Sequence, residues 1–144
     1  MVSKNPEFER HVVRLFNDAA FVGDIGIELV GCGPGWCEAR LNLKPRHLQH
    51  GGVVHAGVQA TLADHTAGAA ATTLLAPDEF VLTIEFKISL LRPALGEALQ
   101  CRAEVLKPGT TVSVVEAEVF AISQGKRVLT GKFSGTMAVR KEKT

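Results

Sequence analysis

Asp64 is the residue whose surroundings most need a chemical explanation. It lies within VVHAGVQATLADHTAGAAATTLLA, residues 53–76, a stretch with almost no other charge. At helical offsets of three, four and seven its neighbours are Gly57, Ala60, Thr61, Ala67 and Gly68, all small. The wall around the carboxylate therefore leaves room for a substrate. An unpaired charge in apolar surroundings is expensive. Asp64 is either hydrogen-bonded by a neighbouring element or kept there as a base or nucleophile. Composition leaves both readings open.

Two glycine-containing triplets, His50-Gly51-Gly52 and His55-Ala56-Gly57, precede and open this segment. If the segment is a helix, its first turn carries free N–H groups and the positive end of the dipole. Such groups can hold the oxyanion that forms when a carbonyl is attacked, and glycines let a ligand approach the backbone closely. His47, His50, His55 and His65 raise the question of a metal. No cysteine lies among them, the only nearby acid is Asp64, and the spacing matches no well-known zinc motif. No metal site is expected, and His55 reads as an orienting hydrogen-bond partner.

The elements that would position these groups follow from periodicity. Asn5-Pro6-Glu7 opens a helix on which Phe8, Val12, Leu15, Phe16 and Ala19 share one face, ending before Gly23. Residues 25–31 and 36–43 read as strands around Gly33-Pro34-Gly35. In the second, Cys37, Ala39, Leu41 and Leu43 alternate with Trp36, Glu38, Arg40 and Asn42. A polar loop over 44–52 leads into residues 53–76. This segment is too long for a strand and predicts a buried helix of about 18 residues, roughly 27 Å long. After Pro77, Leu82, Ile84, Phe86, Ile88 and Leu90 alternate with Thr83, Glu85, Lys87 and Ser89, and 98–106, 111–123 and 126–139 add three strands. The fold class is α+β in a single domain over 1–144. An antiparallel sheet wraps a long central helix and leaves an edge or face that calls for a second copy.

Bulk properties narrow the function. The chain has 144 residues, 46% of them hydrophobic and 22% charged, enough for a packed core. A net charge of +1 argues against nucleic acid or an anionic membrane as the main partner. No apolar run reaches the roughly 18 residues of a membrane span, and the charged N-terminal stretch lacks a signal-peptide core. A cytoplasmic location is expected. Three cysteines, Cys32, Cys37 and Cys101, do not suggest a disulfide framework.

Gln49-His50-Gly51-Gly52-Val53-Val54-His55-Ala56-Gly57-Val58, followed by Leu62-Ala63-Asp64, resembles the PaaI-like hot-dog thioesterases. In that family the helix start usually reads His-Gly-Gly, with a catalytic Asp nine residues after the His, the spacing of His55 and Asp64. IEFKISLLRPALG, residues 84–96, looks like the family's strand ending in Arg-Pro or Ser-Pro. The element order agrees along essentially the whole chain. The resemblance implies hydrolysis of acyl-CoA thioesters to free acid and CoA. Asp64 would attack the carbonyl or activate water, and the Ala56 N–H would bind the oxyanion. His55 would fix the turn, and Gln49 would orient carbonyl or water. Thr83 would stand near the hydrolytic water. Gly57, Thr61 and Gly68 would line the substrate, and Lys107 and, more weakly, Arg92 would meet the CoA phosphates. One departure is Ala56, which stands where the family has glycine; its methyl would matter if the position needed a positive φ.

By the same resemblance no cofactor is needed, since CoA is part of the substrate, and the assembly is a dimer or a dimer of dimers, a homotetramer. Two other functions remain open: a hot-dog hydratase or dehydratase using His55 and Asp64 as an acid–base pair, and a non-catalytic acyl-CoA-binding module.

Overall fold

The computed structural model describes residues 1–143. Asn5 holds a turn as expected, but the helix begins after it: Glu7 is the N-cap and makes no side-chain cap bond. Asn5 Oδ1 accepts the Glu7 N–H at 2.9 Å, and helix α1 runs Phe8–Asp18 with Val12 and Phe16 buried. The single helix expected to end before Gly23 is instead two. The backbone is extended at Ala19, and a short helix α2, Ala20–Ile25, buries Val22. Gly26 closes it at φ 95°, in the left-handed region where glycine carries no Cβ penalty. Strand β1 therefore starts later than expected, at Ile27, and runs to Gly33.

Strands β2 (Trp36–Asn42), β3 (Glu79–Leu90), β4 (Ala98–Lys107), β5 (Val112–Ser123) and β6 (Lys126–Lys141) complete one antiparallel sheet in the order β1-β2-β4-β5-β6-β3. Helix α3, Ala56–Thr72, has 17 residues and contacts all six strands. This is the α+β arrangement of a sheet wrapped around one long helix. Small residues make it possible. Ala63, Ala67, Ala69 and Ala70 of the helix meet Cys37, Ala39, Cys101, Ala103 and Ala117 of the sheet in one buried core. Small side chains on both sides let the helix axis approach the sheet and keep the packing dense. All three cysteines are free. Burial raises their thiols, Cys101 to about 12, so they pack rather than react.

Strand β3 corrects one expectation. Its alternation is broken by a bulge between Thr83 and Glu85, which leaves Ile84 unpaired against β6. Before the bulge, Thr83 faces the helix and meets Asp64. After it, Phe86 stacks on buried Phe133 at 5.2 Å, and Ile88 packs on the core. The five apolar residues therefore do not share a face: Leu82 and Ile84 remain 56% and 58% exposed.

Candidate active site

The site is built from the loop that feeds α3. Gln49 N–H donates to Val53 O at 2.9 Å, and Leu48 bridges Val54, making residues 48–54 a tight reversal. Gly51 and Gly52 turn it at φ 85° and 79°. A side chain at either would be strained although nothing crowds the space. His47 is buried and anchors the loop's base. Its Nδ1 accepts the Lys44 N–H at 2.9 Å, and its Nε2 pairs with Ile25 O at 2.7 Å. The backbone then returns, with His55 N–H donating to His47 O at 2.9 Å.

His55 is the N-cap of α3: its Nδ1 accepts the Gly57 N–H at 2.8 Å. A Cβ on Gly57 would lie 3.0 Å from that nitrogen, so glycine permits the close cap. The cap takes the Gly57 donor and leaves the one before it. Among the described residues, no acceptor pairs with the Ala56 N–H. Ala56 lies in the helical region, and its φ is not positive. Alanine in place of the usual glycine therefore strains nothing in the backbone. Ala56 lines a cleft of about 390 Å³ together with Gln49, Val53, Val54, Gln59, Leu90, Leu91, Arg92, Pro93 and Ala94. Arg92 Nη1 donates to Leu129 O at 2.9 Å and Leu91 N–H to Thr130 O at 2.8 Å, tying the cleft's rim to β6.

Asp64 lies two turns further along α3, eight residues or about 12 Å from Ala56. Thr83 Oγ1 donates to Asp64 Oδ1 at 2.8 Å and lies 3.3 Å from Met137 Sδ. No partner is found for Oδ2 among the described residues. Burial raises the Asp64 pKa, and the Thr83 hydrogen bond opposes that rise. The result is a half-buried carboxylate, fixed by one oxygen and open at the other, with its basicity increased. Gly57, Ala60, Thr61, Asp64 and Gly68 form a partly open stripe along α3. The helix is thus buried on its sheet side only. His65, the next residue, turns inward; its ring packs edge-on against Phe16 at 4.5 Å, and burial lowers its pKa to about 4. It stays neutral and belongs to the packing.

One chain therefore gathers the expected residues into two groups. Gln49, Ala56 and Arg92 surround the cleft at the helix start, with His55 behind them. Asp64 and Thr83 stand together further along, with Gly57, Thr61 and Gly68 on the stripe between and beyond. Lys107 joins neither. It is exposed at the end of β4, in the cross-strand row Lys107–Val114–Thr136–Glu85, about 14 Å from β3 across three strand spacings. Gln59 escaped the sequence reading. Its signal was available: a long amide on an otherwise small or apolar helix, three residues after Ala56 and hence on the same face.

Known proteins share this architecture. The model of the thioesterase superfamily matches residues 51–128, from the loop before α3 into β6. A 1,4-dihydroxy-2-naphthoyl-CoA hydrolase of Listeria monocytogenes is 30% identical over 66% of this chain and 77% of its own length. Acyl-coenzyme A thioesterase 13 of Homo sapiens is 29% identical over 74% of this chain and 76% of its own. The crystal structure of a thioesterase family protein from Silicibacter pomeroyi superposes with a TM-score of 0.90 at 31% identity, covering 92% of this chain and 98% of the other. The chain belongs to the thioesterase superfamily and carries the hot-dog fold that its sequence resembled.

Proposed function

We propose that this protein hydrolyses acyl-CoA thioesters to the free acid and CoA, at a site shared between two subunits. One observation carries the reading. The free Ala56 N–H and the Asp64 carboxylate lie about 12 Å apart on one helix, too far to act on one carbonyl. Two copies related by a two-fold axis, with their α3 helices antiparallel, would bring the Ala56 of each to the Asp64 of the other. The surface for this is at hand. The small-residue stripe on α3 adjoins β3, an edge strand whose Leu82, Ile84 and Phe86 are exposed. An apolar edge left open in this way invites pairing with a second copy.

In that site the Ala56 N–H polarises the thioester carbonyl and holds the oxyanion. In one route the unpaired oxygen of Asp64 attacks the carbonyl carbon, and the C–S bond breaks to release CoA thiolate. Water then hydrolyses the acyl-aspartyl anhydride to the free acid and restores Asp64, one proton of that water going to the thiolate. In the other, Asp64 takes a proton from an attacking water, the tetrahedral intermediate expels the thiolate, and Asp64 returns that proton to it. Thr83 fixes the carboxylate, Gln49 orients carbonyl or water, and His55 holds the turn. Gly57, Thr61 and Gly68 give the acyl group a close wall. Lys107 and Arg92 meet the CoA phosphates.

Asp64→Asn tests the reading. The amide keeps the size and is cheaper to bury, so the fold persists while thiol release from acyl-CoA falls by a factor on the order of 10² or more. Turnover near that of the parent would remove Asp64 from the mechanism. Following enoyl absorbance in the same samples separates hydrolysis from hydration.

A further inference from the structure

Gln59 has a polar atom that neither the fold nor the proposed mechanism uses. The residue is 2% exposed, on the face of α3 turned to the sheet. Its Oε1 accepts from Thr130 Oγ1 at 2.9 Å. Thr130 is itself fully buried; it is the extra residue in the β5–β6 bulge, and its Oγ1 also lies 3.2 Å from Val119 O. A hydrogen bond buried at both ends holds the amide in one place. Among the described residues nothing pairs with Gln59 Nε2, whose side chain lines the cleft that holds Ala56 and Gln49. The Nε2 atom is not sealed from the cleft, so something there can pair with it.

Its position relative to Ala56 says what that something is. Helical side chains lean toward the N-terminus, so the Gln59 amide leans back over the turn that presents the Ala56 N–H. Around it the cleft is aliphatic: Val53, Val54, Leu90, Leu91 and Pro93. An acyl chain whose carbonyl oxygen sits on Ala56 N–H runs along these side chains and passes the amide within a few bonds of the carbonyl.

We propose that Gln59 is a specificity-determining residue that selects acyl chains carrying an oxygen on the β-carbon, with Thr130 setting its orientation. The inference rests on the thioesterase reading above and adds the substrate feature read by the same cleft. A plain alkyl chain leaves Nε2 unpaired, whereas a β-hydroxyl supplies the missing acceptor. A site built to bond a substrate oxygen discriminates against the analogue lacking it.

The test compares thiol release from β-hydroxyoctanoyl-CoA and octanoyl-CoA. The parent protein prefers the hydroxylated ester by about three- to tenfold in kcat/KM, the range of one hydrogen bond. Gln59→Leu and Gln59→Met, the second matching the length of the amide side chain, abolish the preference while octanoyl-CoA is still hydrolysed. Thr130→Val, which frees the amide, weakens it. No preference in the parent, or a preference that survives both Gln59 variants, would overturn the assignment. Equal losses on both esters together with a lowered Tm would make Gln59 a packing residue and overturn it too. If neither ester is hydrolysed, the thioesterase reading fails and the inference falls with it. Hydrolysis without discrimination overturns Gln59 alone.

Discussion

Thr83 and Asp64 share a hydrogen bond of 2.8 Å, and it has a measurable consequence. Burial pushes the Asp64 carboxyl above its ordinary range because the charged form is poorly solvated. The Thr83 hydroxyl stabilises that charged form and pulls the pKa back down. In the proposed mechanism the ionised carboxylate is the active form, so activity is expected to rise with pH through the Asp64 pKa. Thr83→Val removes the donor, and the pKa moves up. The acidic limb of the kcat/KM profile is therefore expected to shift to higher pH, with the largest loss on the acid side and a smaller one on the alkaline plateau. Thr83→Ser keeps the donor and should leave the limb in place. A uniform loss across all pH values would mean that Thr83 acts on the water or the substrate rather than through the Asp64 charge.

At the scale of elements, the first turn of α3 is where the proposed mechanism uses the backbone. The His55 cap satisfies the Gly57 N–H and leaves the Ala56 N–H free. Ala56→Gly keeps the donor and is expected to hold activity within about tenfold, a barrier change of about 1.4 kcal/mol. Ala56→Pro tolerates the first helical position but has no N–H, and the expected loss in kcat is on the order of 10²–10³. Equal effects, with an unchanged circular dichroism spectrum, would place the oxyanion donor elsewhere. Much of this element was legible in the sequence. A charge-poor run of Ala, Gly and Thr too long for a strand predicts a closely packed helix, which is found at Ala56–Thr72, and the His55–Asp64 spacing supplied its candidate site residues. The bulge at Ile84 was not legible, because alternation is a local pattern. Which side of β3 faces inward depends on Phe133 and Thr136 across the ladder, distant in sequence. The break at Ala19 was hidden for a similar reason. No proline or glycine marks it, and it exists so that Val12 and Phe16 on one helix and Val22 on the next can all be buried. Gln59 was visible as a letter, but its unpaired Nε2 shows only when Thr130 is seen holding the other end of the amide.

At the scale of the whole molecule, the two ends of the sheet behave differently, and the proposed second copy would sit at the β3 end. The strands between carry paired charges: Arg102 with Glu38 and Glu104, and Lys132 with Glu116 and Glu118. At the β1 edge α1 packs against the strand, whereas β3 presents apolar side chains beside the open stripe of α3. No helix among the described residues is long and apolar enough to cross a membrane, so bilayer-spanning helices do not account for this surface. A two-fold dimer through β3 and α3 would put Gln49 and Ala56 of one subunit beside Asp64 and Thr83 of the other, and this arrangement can be tested without a structure of the dimer. Gln49→Ala and Asp64→Ala are each prepared as inactive variants and refolded together. In a mixed dimer one site receives both lesions and the other receives neither. Random mixing makes about half of the dimers mixed, each with one intact site of two, so activity should return to roughly a quarter of the parent value for independent sites in a closed assembly. Mass measurement on differently tagged chains verifies that exchange took place. If exchange is complete and no activity returns, Gln49 and Asp64 act within one subunit and the shared site is wrong. Because the argument needs Gln49→Ala to be strongly impaired by itself, Ala56→Pro replaces it if the glutamine proves dispensable, and the same quarter of activity is then expected from its mixture with Asp64→Ala.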